Sequence, residues 1–238
     1  MRIALMVIRL IFRVPYYFFG ICWYGRKKNT DLEKGFRFVK KVATAANKAG
    51  RVKVVAKGLE NIPEEDGFVF YPNHQGLYDV LAFLESSPKS FTIVIKKEAS
   101  NIILLKQVIA VLRGYPMDRD DVRQSMEVIL NITKDVKSGR NAMIFAEGTR
   151  SRNGNKLLEF KGGSFKCATK AKCPIVPCAL IDCFKPFDEN NIKPLTVKVM
   201  YLPPMYYEEY KDMKTVEIAE EVKRRIQEAI DKELQSTT

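Results

Sequence analysis

Histidine occurs once in these 238 residues, at His74, and no cluster of imidazoles is available to hold a metal. The five cysteines, Cys22, Cys167, Cys173, Cys178 and Cys183, are odd in number and form no C-x-x-C pair. With one histidine for company they argue against zinc and for reduced thiols on a cytosol-facing body. Acidic residues are missing from residues 1–28, which carry six Arg or Lys. Long apolar runs are missing as well: the longest uncharged stretch, Val14 to Gly25, has twelve residues and includes Pro15, short of the ~20 that span a bilayer. Repeats and low-complexity tracts are absent. What is left is a length and composition suited to one ordinary domain with a full hydrophobic core.

The net charge of +12 is unevenly placed, because residues 1–50 contribute +9 of it. In that segment the basic residues interleave with Phe, Tyr, Trp and Ile, a composition suited to a membrane surface. At 100° per residue Arg2, Arg9 and Arg13 share one edge of an otherwise apolar helix, which predicts a helix lying in the interface. A second helix is expected from Asp31 to Lys48, with Lys34, Arg37, Lys40, Lys41 and Lys48 opposite Leu32, Phe36, Val39, Val42 and Ala46. Arg26-Lys27-Lys28-Asn29 would connect the two. A secretory signal is disfavoured, since Arg9 and Arg13 split the apolar region and no small-residue cleavage site follows. Nucleic-acid binding has no motif to support it.

From Val52 the pattern becomes short β-rich runs alternating with helical stretches, which predicts an α/β domain over 51–238 with its boundary near Gly50. Strands are expected at Val52–Ala56, Phe68–Tyr71, Phe91–Ile95, Ala142–Ala146, Ile175–Ile181 and Thr196–Tyr201. Helices are expected at Gln75–Leu84, Ile102–Leu112, Val122–Lys137, Gly163–Lys172 and Val216–Leu234.

His74 lies just past the second of these strands, in Asn73-His74-Gln75-Gly76-Leu77-Tyr78-Asp79. On a straight helix residues five apart point about 140° away from each other, so His74 and Asp79 can meet only if a turn separates them. Pro72, Asn73 and Gly76 supply the signals for that turn. A carboxylate on one imidazole nitrogen fixes the tautomer and frees the other nitrogen to take a proton from a hydroxyl. The same spacing also suits a structural histidine beside a helix-capping Asp.

A second polar stretch, Phe145-Ala146-Glu147-Gly148-Thr149-Arg150-Ser151, again follows an apolar strand. Gly148 lets backbone approach a ligand, Thr149 and Ser151 offer hydroxyls, and Arg150 offers a fork that fits two phosphate oxygens. Lys161, ahead of a Gly-Gly-Ser helix start, adds positive potential. A solvated turn with incidental charges is the alternative.

These stretches resemble the glycerolipid acyltransferase superfamily, and within it the bacterial lysophosphatidic acid acyltransferases. The N-H-x-x-x-x-D block is Asn73 to Asp79, and the F-P-E-G-T-R-S block is Phe145 to Ser151 with Ala146 in place of proline. The G-x-x-F-I-D-R block is matched by Gly114-Tyr115-Pro116-Met117-Asp118-Arg119, where Pro116-Met117 replaces the aromatic-aliphatic pair. The strand Ile175-Val176-Pro177-Cys178-Ala179 follows in the family's order.

The resemblance implies a glycerol-3-phosphate acyltransferase-like fold, a mixed sheet flanked by helices and preceded by a two-helix membrane-binding segment. It implies transfer of an acyl chain from a coenzyme A or acyl-carrier-protein thioester to the sn-2 hydroxyl of a lysophosphatidic acid, with no metal or other cofactor. His74 would be the base and Asp79 its orienting group. Glu147, Gly148, Thr149, Arg150 and Arg119 would bind the acceptor's phosphate and glycerol, with Lys97 and Lys161 near the site. The expected place is the cytoplasmic face of a membrane, held peripherally or monotopically. Related enzymes acylate glycerol 3-phosphate or other lysolipids, so the acceptor stays open. A cysteine acyl-enzyme through Cys167, a phosphoesterase, and a non-catalytic binder of anionic lipid are the rivals. The first would use a thiol in an apolar pattern, the second lacks a metal cluster or nucleophile, and the third has no need of His74 and Asp79.

Overall fold

The computed structural model describes residues 1–26, 31–102 and 104–236. Strands β1 (Val52–Lys57), β2 (Val69–Pro72), β3 (Thr92–Lys96), β4 (Tyr115–Met117), β5 (Ala142–Met143), β6 (Ile175–Ile181) and β7 (Leu195–Tyr201) form one sheet in the order β1-β7-β6-β2-β5-β3-β4. From β6 to β4 all neighbours are parallel, whereas β7 runs antiparallel to β6 and carries β1 with it. Strands such as β2 and β6 are buried along their whole length, which is why they read as continuous apolar runs without alternation.

The helices are α1 (Arg2–Arg9), α2 (Val14–Arg26), α3 (Leu32–Ala49), α4 (Asp79–Ser86), α5 (Leu105–Val111), α6 (Val122–Lys137), α7 (Lys166–Ala171), α8 (Lys185–Asp188), α9 (Tyr207–Tyr210) and α10 (Thr215–Gln235). They cover both faces of the sheet. On one face Phe36 and Val39 of α3 and Phe83 of α4 share a core with Phe68 and Phe70. On the other, Ile132 of α6, Ala168 of α7 and Ile226 of α10 share one with Val69, Tyr71 and Ile144.

Several expectations change. Residues 115–117 form a strand that periodicity missed; its Pro116 is tolerated because β4 is an edge strand. The strand expected at Ala142–Ala146 shortens to two residues, although the Ile144 N–H still donates to the Phe70 carbonyl at 3.0 Å. The helix expected from Gln75 begins at Asp79, for a reason that belongs to the site.

The N-terminal segment holds three helices instead of two. The expected interfacial helix breaks between Arg9 and Val14, and its halves are bent by 96°. Pro15 explains the break: it has no N–H to donate into the preceding turn, and its ring would clash with the carbonyl of Ile11. The expected basic edge loses Arg2, while Arg9 and Arg13 stay exposed. Arg2 is 1% exposed, its guanidinium donating to the Gly50 carbonyl at 2.6 Å, the Lys193 carbonyl at 2.9 Å and Asn191 Oδ1 at 3.2 Å. Arg9 donates to the Ala49 carbonyl at 3.2 Å. Both therefore serve the carbonyl end of α3, where the backbone has free acceptors and a negative dipole end.

Gly50 is also no boundary in the packing, because α3 forms part of the main core. α2 docks against α5, with Gly25 set where a Cβ would meet Ala110 and the Gln107 carbonyl. The connection expected at Arg26-Lys27-Lys28-Asn29 falls almost wholly outside the described residues. No single described helix is long and apolar enough to cross a membrane. Phe12, Tyr16, Phe19 and Trp23 nevertheless face outward, Phe12 being 96% exposed.

Candidate active site

β2 and β5 are adjacent and parallel, with Val69 opposite Ala142 and Phe70 opposite Met143. Their exit loops therefore emerge side by side at the carboxyl end of the sheet, where open parallel sheets bind ligands. One loop carries His74 and the other Glu147 to Ser151, so two stretches some 70 residues apart in sequence share one edge.

The His74 loop is fixed from beneath. Asn73 is buried, donates from Nδ2 to the Leu180 carbonyl at 3.1 Å and accepts the Leu180 N–H at 2.7 Å, pairing with β6 as a further strand residue would. Gln75 accepts the Cys183 N–H at 2.7 Å and donates to Asn155 Oδ1 at 2.7 Å; Asn155 in turn bonds Asp182. The sequence marks Asn73 only as a turn former and block residue, and gives Gln75 no role. The only signal was a polar residue directly after an apolar strand, and its partners lie more than a hundred positions away.

Asp79 is fully buried at the first turn of α4. Its Oδ2 lies 2.7 Å from His74 Nδ1 and also accepts the N–H groups of Gln75 at 2.7 Å and Gly76 at 3.0 Å. By capturing those two amides the carboxylate folds residues 74–78 into a turn, so the helix starts at Asp79. The donors and the positive end of α4 offset the hydration the carboxylate gives up. Asp79 Oδ1 has no protein partner. The imidazole stacks on the Phe145 ring at 4.1 Å, is 16% exposed, and makes no hydrogen bond through its other nitrogen among the described residues. That nitrogen is therefore open to accept a proton.

Glu147 departs from its expected role as a substrate contact. It is 2% exposed, and its two oxygens accept backbone amides: Oε1 from His74 at 2.7 Å, Oε2 from Leu158 at 3.0 Å. Burial, with the nearby charge of Asp79 adding to it, pushes its carboxyl up to about 7 against the pull of those amides. Ser151 completes the grip, its N–H donating to the His74 carbonyl at 2.8 Å.

Gly148 sits at φ +71°, and a Cβ there would stand 3.0–3.2 Å from Lys161 Cε, Nζ and Cδ. Lys161 thus lies across the turn, held by its own N–H on the Ala146 carbonyl at 2.8 Å. Thr149 is exposed, and Arg150 is half-buried with no hydrogen bond or ion pair among the described residues. Lys97 and Arg119 follow β3 and β4, two and three strands from β2, so at ~4.8 Å per strand they stand roughly 10 and 14 Å from the histidine strand. Lys97 is paired with Asp118 at 3.2 Å. Arg119 is half-buried and its guanidinium is held below its usual range by burial, against the attraction of Glu98.

Burial leaves the thiols inert. Cys167 lies inside α7 and burial pushes its thiol up to about 12; Cys173, Cys178 and Cys183 are buried and raised in the same way. Among the described residues no three His, Cys, Asp or Glu side chains gather as metal ligands would. Two clefts of about 310 and 620 Å³ lie at the opposite, amino end of the strands, around Ser90 and Asn141 and around Gly67 and Pro174. Neither contains a residue of the His74 edge.

A family model described as Acyltransferase matches residues 53–181. The 1-acyl-sn-glycerol-3-phosphate acyltransferase of Borreliella burgdorferi is 30% identical over 141 residues, 59% of this chain and 56% of that protein. The chloroplastic enzyme of that name from Arabidopsis thaliana is 32% identical over 130 residues, 54% of this chain and 36% of that protein. The Helicobacter pylori protein of that name is 29% identical over 150 residues, 59% of this chain and 63% of its own length. The chain thus spans about a third to two thirds of the length of these curated relatives. The crystal structure of the 1-acyl-sn-glycerophosphate (LPA) acyltransferase PlsC from Thermotoga maritima superposes with a TM-score of 0.77 at 22% identity, covering 98% of this chain and 97% of that one. At that identity the likeness speaks for the fold.

Proposed function

Because the chain belongs to the acyltransferase family, we propose that it moves an acyl chain from a thioester to the sn-2 hydroxyl of a 1-acyl-glycerol 3-phosphate, yielding phosphatidic acid. The observation that carries this reading is the 2.7 Å contact of His74 Nδ1 with Asp79, which leaves Nε2 without a hydrogen bond among the described residues. His74 Nε2 takes the hydroxyl proton as the oxygen attacks the thioester carbonyl. The tetrahedral adduct then collapses, the C–S bond breaks, and the imidazolium returns its proton to the departing thiolate. Asp79 holds the tautomer and balances the transient imidazolium charge, so no covalent acyl-enzyme is required.

Arg150, with Lys161 and Thr149, takes the acceptor's phosphate monoester. Lys97 and Arg119 follow neighbouring strands on the same edge, with Arg119 to meet the acceptor's phosphate and glycerol. The outward aromatics of residues 12–23, with the basic residues near them, support attachment to an anionic membrane surface, on this reading the cytoplasmic one, where the lysolipid is held. The donor is a coenzyme A or carrier-protein thioester; the family likeness does not separate the two.

The test is a purified-enzyme assay that crosses both donors with lysophosphatidate, lysophosphatidylcholine and glycerol 3-phosphate. Transfer is expected to require the lysolipid monoester. Arg150→Lys keeps the charge but loses the paired hydrogen bonds, about 1–3 kcal/mol, which should raise the KM for lysophosphatidate about 5- to 150-fold and leave the donor KM alone. Transfer to lysophosphatidylcholine with equal efficiency, or an Arg150→Lys effect confined to the donor, overturns the assignment of acceptor or of subsite.

A further inference from the structure

The buried carboxylate of Glu147 is not spent by the chemistry just described. It stands behind the catalytic histidine, and its bonds go only to backbone. The peptide of His74 is gripped on both sides by one turn: its N–H by Glu147 Oε1 at 2.7 Å, its carbonyl by the Ser151 N–H at 2.8 Å. The ring of Phe145, from the same turn, lies against the imidazole at 4.1 Å. Glu147 Oε2 reaches the Leu158 N–H at 3.0 Å, tying in the segment that returns to Lys161. A charged acceptor between two amide donors in a dry site makes short, directional bonds, stronger than neutral ones.

We propose that Glu147 is the positioning residue for His74, its ionised carboxylate setting where the imidazole stands by holding the His74 and Leu158 amides at once. This rests on His74 being the base. A protonated carboxyl, or an amide in its place, turns one of the two acceptors into a donor facing an N–H, and one amide is left unsatisfied. The His74 peptide then keeps only the Ser151 bond to that turn, and the ring can drift from its line to the acceptor hydroxyl. The charges that face Glu147 are Asp79 at the start of α4, which opposes its ionisation, and Lys223 of α10, which favours it.

The presence of one histidine makes this measurable without turnover. In the full-length protein, Glu147→Gln should shift the imidazole resonances of His74, lower kcat about 10²-fold, the scale of an ångström's misplacement of a catalytic group, and leave the KM for lysophosphatidate unchanged. A rise in KM with kcat intact would mean that Glu147 touches the acceptor. Unmoved imidazole resonances beside a lost kcat would mean that it does not act through His74. Either result overturns the proposal.

A readout on the wild-type protein covers the case in which the variant fails to fold. The His74 and Leu158 amides share one carboxylate, so their protons should move together through a midpoint of about 7. A Leu158 amide that shows no such midpoint overturns the proposal as well. If transfer survives His74→Ala, the base assignment itself has failed, and that outcome is separate from any of these.

Discussion

The two ends of polarity in this molecule are inverted. In residues 1–26 large apolar side chains point outward and an arginine is buried, whereas at the carboxyl end of the sheet carboxylates and amides are buried and a histidine looks out. In both places the buried polar group is held by backbone: Arg2 by carbonyls at the end of α3, Asp79 and Glu147 by amides at the turns they create. A buried charge is tolerable only with such partners, and having them it fixes its element in one place. The difference lies in what is left exposed. The N-terminal segment leaves apolar surface, which suits a lipid face; the sheet edge leaves a ring nitrogen and the Arg150 guanidinium without partners among the described residues, which suits an anionic ligand.

The largest effect is expected at the edge. His74→Ala should lower transfer by about 10²–10⁴-fold, the range of general-base catalysis, with vesicle binding unchanged. Asp79→Asn should fall chiefly on kcat and should also destabilise the turn, because the amide presents a donor to amides that need an acceptor. Loss of vesicle binding in His74→Ala would break the separation between the two regions.

The next effect contrasts two phenylalanines of the N-terminal segment. Phe36 of α3 is buried against Phe91 and shares the core of the sheet, so Phe36→Ala should cost about 3–5 kcal/mol of stability. Phe19 of α2 is 70% exposed, so Phe19→Ala should change stability by no more than about 0.5 kcal/mol while weakening partition into vesicles. Denaturant unfolding and vesicle sedimentation read the two effects separately. Deletion of residues 1–49 is a poor test of the anchor, since it strips α3 from the core along with the outward face.

The sequence makes the same contrast partly legible. The His74–Asp79 contact could be read because both residues lie within one short turn with Pro72 and Gly76 to bend it. The inward turn of Glu147 could not, since it depends on amides 73 positions upstream and 11 downstream that only the β2–β5 pairing brings to it. The helix of α6 matched its expected limits, Val122–Lys137, because its apolar period agrees with the local capping, the Asp121 side chain accepting the Gln124 N–H at 3.0 Å. Arg2 departs from its expected place for a related reason: a helical wheel assigns a face, but Pro15 breaks the wheel, and the partners of Arg2 are 48 and 191 residues away.

The smallest effect sharpens that misreading by making one substitution at two arginines. Arg13 lies in the exposed turn between α1 and α2, with no partner among the described residues, and contributes only charge near the outward aromatics. Arg2 sits beneath the same turn's helix and contributes only to the fold. Arg2→Gln should lower stability by about 1–3 kcal/mol, because the Gly50 and Lys193 carbonyls lose their donors inside the protein. Arg13→Gln should leave stability alone and weaken attachment to anionic vesicles by about 1 kcal/mol, roughly fivefold in partition. That loss should fade in high salt, which screens Arg13 but leaves aromatic burial untouched. Salt should therefore erase the difference between Arg13→Gln and wild type on vesicles without erasing the difference between Arg2→Gln and wild type in denaturant. If Arg13→Gln proves destabilising and vesicle binding does not change, Arg13 is a tether like Arg2, and the outward face binds by its aromatics alone.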